Sequence, residues 1–292
     1  MKRTKHRRPT AILSADWHLR MDQPVCRIDD FPEAQWKKVV FISDLQKKYD
    51  CPVWHPGDLF NHWKPSPQLI SQALIHLPDQ FITIYGNHDL PQHSLQQADK
   101  CGIYTLLSAG RVRVAPECHW QETPVKGSFK YRHNTHKILL WHVMVYQGRK
   151  PWPDCTAPSA AKLLKKYPEY DLIVTGHNHK PFVEEYEGRL LVNPGSITRM
   201  DADQEEHRPR VYLWYAEDNT VDPVYLPIEA DVVSRDHIDL KKERTDRIDA
   251  FISKLDGDWE AGVSFEENLE RFSKKNKTKK PIMEIVNKAI EI

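Results

Sequence analysis

At 292 residues, 40% of them hydrophobic, the chain can bury a substantial core, with room for one α/β domain and a small appendage, which excludes a minimal module. Its 42 lysines and arginines against 41 aspartates and glutamates leave a formal charge of +1, so any attraction to a polyanion must come from local patches. Cys26, Cys51, Cys101, Cys118 and Cys155 are odd in number and never spaced C-x-x-C, which argues against a disulfide framework and a thiolate zinc site.

The start, Met1 to Arg8, is basic but lacks the apolar core of a signal peptide, and no later stretch is apolar for long enough to span a bilayer. The expectation is a soluble protein of the reducing cytoplasm with no membrane partner. Ala11 to Ala15 reads as a buried parallel strand that breaks off at Asp16-Trp17-His18, where a carboxylate and an imidazole two positions apart point the same way in extended chain. Glu33 to Tyr49 carries Trp36, Val39 and Val40 at helical spacing behind Pro32, and a second helix is predicted from Pro67 to Leu77. Between them Pro52 to Pro56 leads to Gly57-Asp58, and the strand Gln80 to Tyr85 ends on Gly86-Asn87-His88-Asp89. The alternation predicts a parallel α/β sheet with its site at the carboxyl edge.

From Tyr104 to Lys130 the signals weaken to short β-like pieces and turns. Lys137 to Trp141 then leads into His142, Asp171 to Thr175 into Gly176-His177-Asn178-His179, and Leu190 to Val192 into Asn193-Pro194-Gly195-Ser196. Arg210 to Trp214 and Val221 to Leu226 read as a closing antiparallel pair. Composition shifts near Ala230, which divides a catalytic domain at 1–229, with a basic arm at 1–9, from a small, mainly helical appendage at 230–292. In the appendage, Ile248, Phe251, Ile252 and Leu255 fall at helical spacing, as do Phe265, Leu269 and Phe272 behind a Ser264 to Glu267 capping box. A third apolar stripe runs from Ile282 to Ile290 behind Pro281.

Each strand-end motif is weak alone, but together they point to one chemistry. Asp16, His18, Asp58, Asn87, His142, His177 and His179 all fall at predicted strand ends and are all oxygen or imidazole donors, a set that suits two divalent metals with one carboxylate bridging. Two metals about 3.5–4 Å apart provide a deprotonated water near neutral pH for in-line attack on phosphorus and neutralise the non-bridging oxygens. His88, beside Asn87, is expected to protonate the leaving group, with Asp89 as its orienting partner.

These blocks, D-x-H, G-D, G-N-H-D, H and G-H-x-H in order over most of residues 11 to 200, resemble the calcineurin-like metallophosphoesterases. The resemblance implies a four-layer α/β/β/α sandwich. It implies that Asp16, His18, Asp58 and His179 hold one metal and Asp58, Asn87, His142 and His177 the other, with Asp58 bridging. Manganese is the implied ion, which an all N/O donor set permits without selecting it.

Within the superfamily, Ala15 to Leu19, Gly57 to Phe60 followed by Lys64 to Pro67, and Gly176 to Pro181 are similar to the SbcD-type DNA-repair nucleases, phage versions included. The G-D-x-x-D-R-G of the protein phosphatases is not matched, since Asp58 is followed by Leu59-Phe60-Asn61-His62. The resemblance implies a DNA exo- or endonuclease in which Asn61, His62 and Trp63 meet the substrate, with an SbcC-type ATPase and a second copy of the chain as partners, in host cytoplasm if the protein is viral. Two departures stand out: Asn61 occupies a position where that family usually has histidine, and the appendage is shorter than the usual capping segment. Lys2 to Arg8, and Arg271, Lys274, Lys275, Lys277, Lys279 and Lys280, either contact phosphates or are simply solvated. The alternatives are a small-substrate phosphodiesterase or phosphatase, and a binding scaffold, which should lack ligands that this chain has.

Overall fold

Short, mostly apolar runs bounded by proline, glycine or a charged residue form strands of two to seven residues, and the longer amphipathic stretches between them form helices. The computed structural model describes residues 7–115, 119, 122–123, 131–133, 136–255 and 265–290. In chain order the first unit holds β1 (Ala11–Leu13), α1 (Phe31–Tyr49), β2 (Val53–His55), α2 (Pro67–His76), β3 (Phe81–Thr83), α3 (Gly102–Ser108), β4 (Arg113–Val114), β5 (Tyr131–His133) and β6 (His136–His142). It continues with α4 (Ala160–Lys166), β7 (Leu172–Gly176), β8 (Phe182–Tyr186), β9 (Arg189–Asn193), β10 (Arg210–Tyr215) and β11 (Thr220–Tyr225).

Helix α1 begins two residues before the expected Glu33, because the Asp30 side chain accepts the Glu33 N–H and Pro32 fits the first turn. Ser66 caps α2 in the same way through the Leu69 N–H. Val40, expected on the buried face of α1, is exposed, whereas Val39 is fully buried. Helix α3 replaces part of the stretch read as β-like, and α4 and β8 carried no sequence expectation. Both helices have seven residues and no side-chain cap, so burial of Ile103 and Leu106, and of Leu163 and Leu164, holds them rather than local signals.

The strands form two sheets, in the orders β11-β10-β1-β2-β3-β4 and β5-β6-β7-β9-β8. The pairs β1·β2, β2·β3 and β6·β7 are parallel, so the ends that carry the motifs lie on one edge of each sheet. The expected closing pair is present as antiparallel β10 and β11. Leu13, Trp54 and Trp214 of the first sheet pack against Ile138, Leu140, Val174 and Val192 of the second in one buried cluster. Behind the first sheet, Val39, Ile42, Leu69 and Ile103 of the helices meet Ile12, Val53 and Phe81. Behind the second, Leu163 and Leu164 meet Leu139, Ile173 and Leu191. The layers are therefore α/β/β/α, as expected.

The second compact unit begins at Ser234 and holds α5 (Asp236–Leu255), α6 (Phe265–Lys275) and α7 (Lys280–Ile290). Leu269 and Phe272 are buried there against Ile282, Met283 and Val286. The capping serine, Ser264, lies outside the described residues, as does Lys2 to His6 of the basic arm. Arg7 pairs with Asp218 at 2.6 Å and Arg8 with Asp50 at 2.9 Å, while Arg8 also donates to the last carbonyls of α1. In the tail, Lys274 pairs with Glu270 at 3.2 Å. Cys26, Cys51, Cys101 and Cys155 are buried and unpaired, and among the described residues no helix is long and apolar enough to cross a membrane.

Because Leu140 is buried between the two sheets, Leu140→Ala should cost about 2–5 kcal/mol through lost transfer energy and the cavity left behind. The check is a urea titration, in which an unchanged midpoint would contradict the inter-sheet core.

Candidate metal centre

Both sheets deliver donors to one place. Asp16 and His18 follow β1, Asp58 follows β2, Asn87 and His88 follow β3, His142 closes β6, and His177 and His179 follow or end the turn after β7. Asp16, His18, Asp58 and His177 have φ values of 48°, 45°, 58° and 76°, a left-handed conformation that non-glycine residues rarely adopt. Strain at successive strand ends turns these side chains toward one another, and the surrounding core maintains it. The preceding glycines are steric requirements. A Cβ on Gly57, itself at φ 90°, would lie 2.7 Å from His142 Nδ1, and one on Gly86 would collide with the Asp58 carboxylate.

Among the described residues, three sets of donors have ligand atoms within 4.8 Å of one another: Asp16, His18 and His179; His18, Asp58 and His88; and Asp58, His142 and His177. Asn87 joins the last through Oδ1, which is 3.0 Å from His142 Nε2 and 2.9 Å from His177 Nδ1. Asp58 belongs to two sets. Its Oδ1 accepts the His88 N–H at 2.9 Å, and its Oδ2 lies 3.2 Å from His142 Nε2 and 3.6 Å from His18 Nε2.

The tautomer of His142 tests whether a cation fits. Its Nδ1 lies 2.7 Å from the Pro56 carbonyl and must donate there, so the neutral ring turns a lone pair at Nε2 toward the oxygens of Asp58 and Asn87. Acceptors that converge in this way need a proton or a cation among them. In the other set, His18 Nε2 and His179 Nε2 face each other at 3.1 Å. Asp16 Oδ1 accepts the His177 N–H at 2.8 Å, whereas Asp16 Oδ2 is buried with no partner, which the protein alone leaves unsatisfied. The donors fit a pair of divalent cations.

Electrostatics agree. Burial drives His18 well below the ordinary imidazole range despite the Asp58 charge, and burial with His142 takes His177 down to about 4, so both rings are neutral, the form that coordinates. Burial pulls Asp58 upward, but the charge and hydrogen bond of His142, with His18 and His88, outweigh it and hold the carboxylate ionised. His142 is lowered by burial but raised more strongly by Asp58, Asp16 and the Pro56 carbonyl, to about 9, so proton and metal compete for its Nε2. Burial raises Asp16 above the usual carboxylate range, against the opposing charges of His179 and His142.

Asp89 does not orient His88. Its Oδ2 accepts the N–H groups of Asp58 at 2.8 Å, Gly86 at 3.0 Å and Leu59 at 3.3 Å, and its Oδ1 that of Phe60 at 3.0 Å. The partner of His88 is instead the Asn61 carbonyl, 2.9 Å from Nδ1. Of the expected substrate contacts, His62 is exposed with its ring against Trp63, and Trp63 is partly buried against the core behind the first sheet. Trp17 is fully buried and donates to Ser14 Oγ at 2.7 Å. The carbonyls of Pro56 and Asn61 carry no side-chain signal, so the sequence could not mark them. His93, 2.8 Å from the Asn87 carbonyl, was likewise missed, though as a histidine six residues after Asn87 it was visible.

A sequence profile of the calcineurin-like phosphoesterase superfamily domain matches residues 12–214. No curated protein matches the chain. Similar solved structures include an archaeal phosphodiesterase, 16% identical over 74% of this chain and 99% of its own, with a TM-score of 0.42. Vacuolar protein sorting 29 of Cryptosporidium parvum is 17% identical over 75% of this chain and 97% of its own, with a TM-score of 0.36.

A ligand that binds only the folded chain stabilises it by mass action, by about 2.7 kcal/mol at a hundredfold excess over its dissociation constant. Mn2+ should therefore raise the melting temperature of the wild type, and Asp58→Ala, which removes a donor from two sets, should abolish most of that rise. An equal rise in the variant would contradict the shared position of Asp58.

Proposed function

The chain belongs to the calcineurin-like phosphoesterase superfamily, and from that premise we propose that it is a two-metal phosphodiesterase that cleaves DNA. The observation that carries the reading is the setting of the donors. His177 and His179 stand on the wall of an open groove of about 910 Å³, together with Arg149, Lys180, Arg208 and Arg210. A groove of this size, continuous with the donors and lined by four cations against the three carboxylates of Asp201, Asp203 and Glu206, suits an extended phosphodiester.

Asp16, His18, Asp58 and His179 would hold one ion, and Asp58, Asn87, His142 and His177 the other. When bound, such a pair lowers the pKa of water and draws charge from the phosphoryl oxygens, and manganese is the ion we expect. The protein's own groups supply the rest. His88 Nδ1 donates to the Asn61 carbonyl, so Nε2 is the atom from which the ring, in its imidazolium form, would release a proton. The ring is exposed and its centroid is 4.7 Å from that of His18, so the proton can pass to the leaving oxygen of a diester at the donors. The Pro56 carbonyl keeps the His142 lone pair aimed inward, and the four N–H groups gathered by Asp89 keep Asp58 in place. His62 stands exposed beside His88's anchor and is the residue of its segment best placed to meet the strand. An SbcC-type ATPase partner and a homodimer accompany this nuclease reading as further expectations.

One observation favours a small-substrate phosphodiesterase or phosphatase instead: Arg7 and Arg8, the described part of the basic arm, are tied to Asp218 and Asp50 rather than free for phosphates.

The test is manganese-dependent cleavage of end-labelled linear duplex and single-stranded DNA, with a chromogenic phosphodiester alongside. His88→Ala should lose about 10²–10⁴ of the DNA cleavage rate while elemental analysis finds its metal retained, since an acid is removed and no proposed ligand is. Undiminished cleavage, or loss of metal, would contradict the role given to His88. DNA left intact while the chromogenic diester is hydrolysed would favour the small-substrate reading.

A further inference from the structure

The segment between β6 and α4 is anchored at its start and open at its tip. The Gln147 amide donates to the Val183 carbonyl at 2.7 Å and the Glu184 carboxylate at 2.8 Å, and the Asn178 amide donates to the Val145 carbonyl at 2.6 Å. Farther along, the Cys155 N–H closes a turn onto the Trp152 carbonyl at 3.1 Å. The main chain of Trp152 is thus held, while its side chain is 50% exposed and packs against no other ring among the described residues. The indole lines the same groove as His177 and His179.

Charge in that groove is divided. Arg149, Lys180, Arg208 and Arg210 form no ion pair with a carboxylate among the described residues, although Arg208 and Arg210 each lie over the Tyr225 ring at 4.8 Å. Asp201, Asp203 and Glu206 line the groove as well. Arg149 and Lys180, both exposed, can take the phosphates of one strand, whereas Arg208 and Arg210 are also engaged with Tyr225.

From this juxtaposition we infer that Trp152 is a stacking platform for one base of an unpaired strand whose scissile diester lies at the donor cluster. A base can lie flat on an indole only when it has left its own stack, so the favoured substrate is single-stranded DNA or a frayed end rather than blunt duplex. Trp152 acts here as a positioning and specificity residue. The inference rests on the DNA reading given above.

Three substrates separate the two. On single-stranded DNA, Trp152→Ala should lose about tenfold in kcat/KM, mainly through KM, while Trp152→Phe retains most activity because a flat ring remains. Hydrolysis of a chromogenic phosphodiester, which has no base to stack, should be unchanged in both variants, and this also shows that they fold. With wild type, a series of oligonucleotides carrying an abasic site at successive positions should reveal one position where removing the base costs the same tenfold, and Trp152→Ala should be insensitive there. Normal cleavage of single-stranded DNA by Trp152→Ala, or equal sensitivity of both proteins to the abasic site, would overturn the platform and leave the nuclease reading intact. Failure of the wild type to cut any DNA while hydrolysing the chromogenic diester would overturn the nuclease reading, and the platform with it.

Discussion

The geometry of the metal centre depends on a buried carboxylate that points away from it. Asp89 gathers the N–H groups of Asp58, Leu59, Phe60 and Gly86, and so ties the end of β2 to the end of β3. Burial and the neighbouring Asp58 charge push Asp89 upward, opposed by the Phe60 and Gly86 N–H groups. Four donors on one carboxyl group match the acceptor capacity of its ionised form, and a hydrogen bond to a charged group contributes about 1.5–3 kcal/mol. Beside this clamp, the left-handed backbone at Asp58 is held by the His18 N–H, which donates to the Asp58 carbonyl at 3.0 Å.

With Asp58 fixed, the centre becomes a junction between the sheets. The first sheet contributes Asp16, His18, Asp58 and Asn87, and the second contributes His142 and His177, so the inter-sheet core of Leu13, Trp54, Leu140 and Val174 sets the spacing of donors on opposite sides. Backbone carbonyls finish the arrangement: Pro56 fixes the tautomer of His142, and Asn61 that of His88. Structure and proposed chemistry meet here, because both hydrogen bonds leave Nε2 as the working atom, a lone pair in one ring and a proton carrier in the other.

Much of this was legible in the sequence for a physical reason. In a parallel sheet, strands leave their carboxyl ends on one edge, so a donor after each apolar run predicts a cluster, and the seven donors do converge. Where the reading failed, the missing information was either tertiary or on the main chain. Asp89 follows His88 in sequence, yet its carboxylate turns to the neighbouring strand end, a direction that adjacency does not encode. Helices α3 and α4 are too short to show a period and are held by what they bury. Trp152 lies in an otherwise polar segment, and only the fold shows that it shares a groove with His177 and His179.

The central claim is that Asp58 lies between two divalent ions, and anomalous scattering from crystals grown in Mn2+ tests it most directly. The account predicts two manganese peaks, one among Asp16, His18 and His179 and the other among Asn87, His142 and His177, with the Asp58 carboxylate in contact with both. A single peak, or two peaks of which Asp58 touches only one, would contradict it.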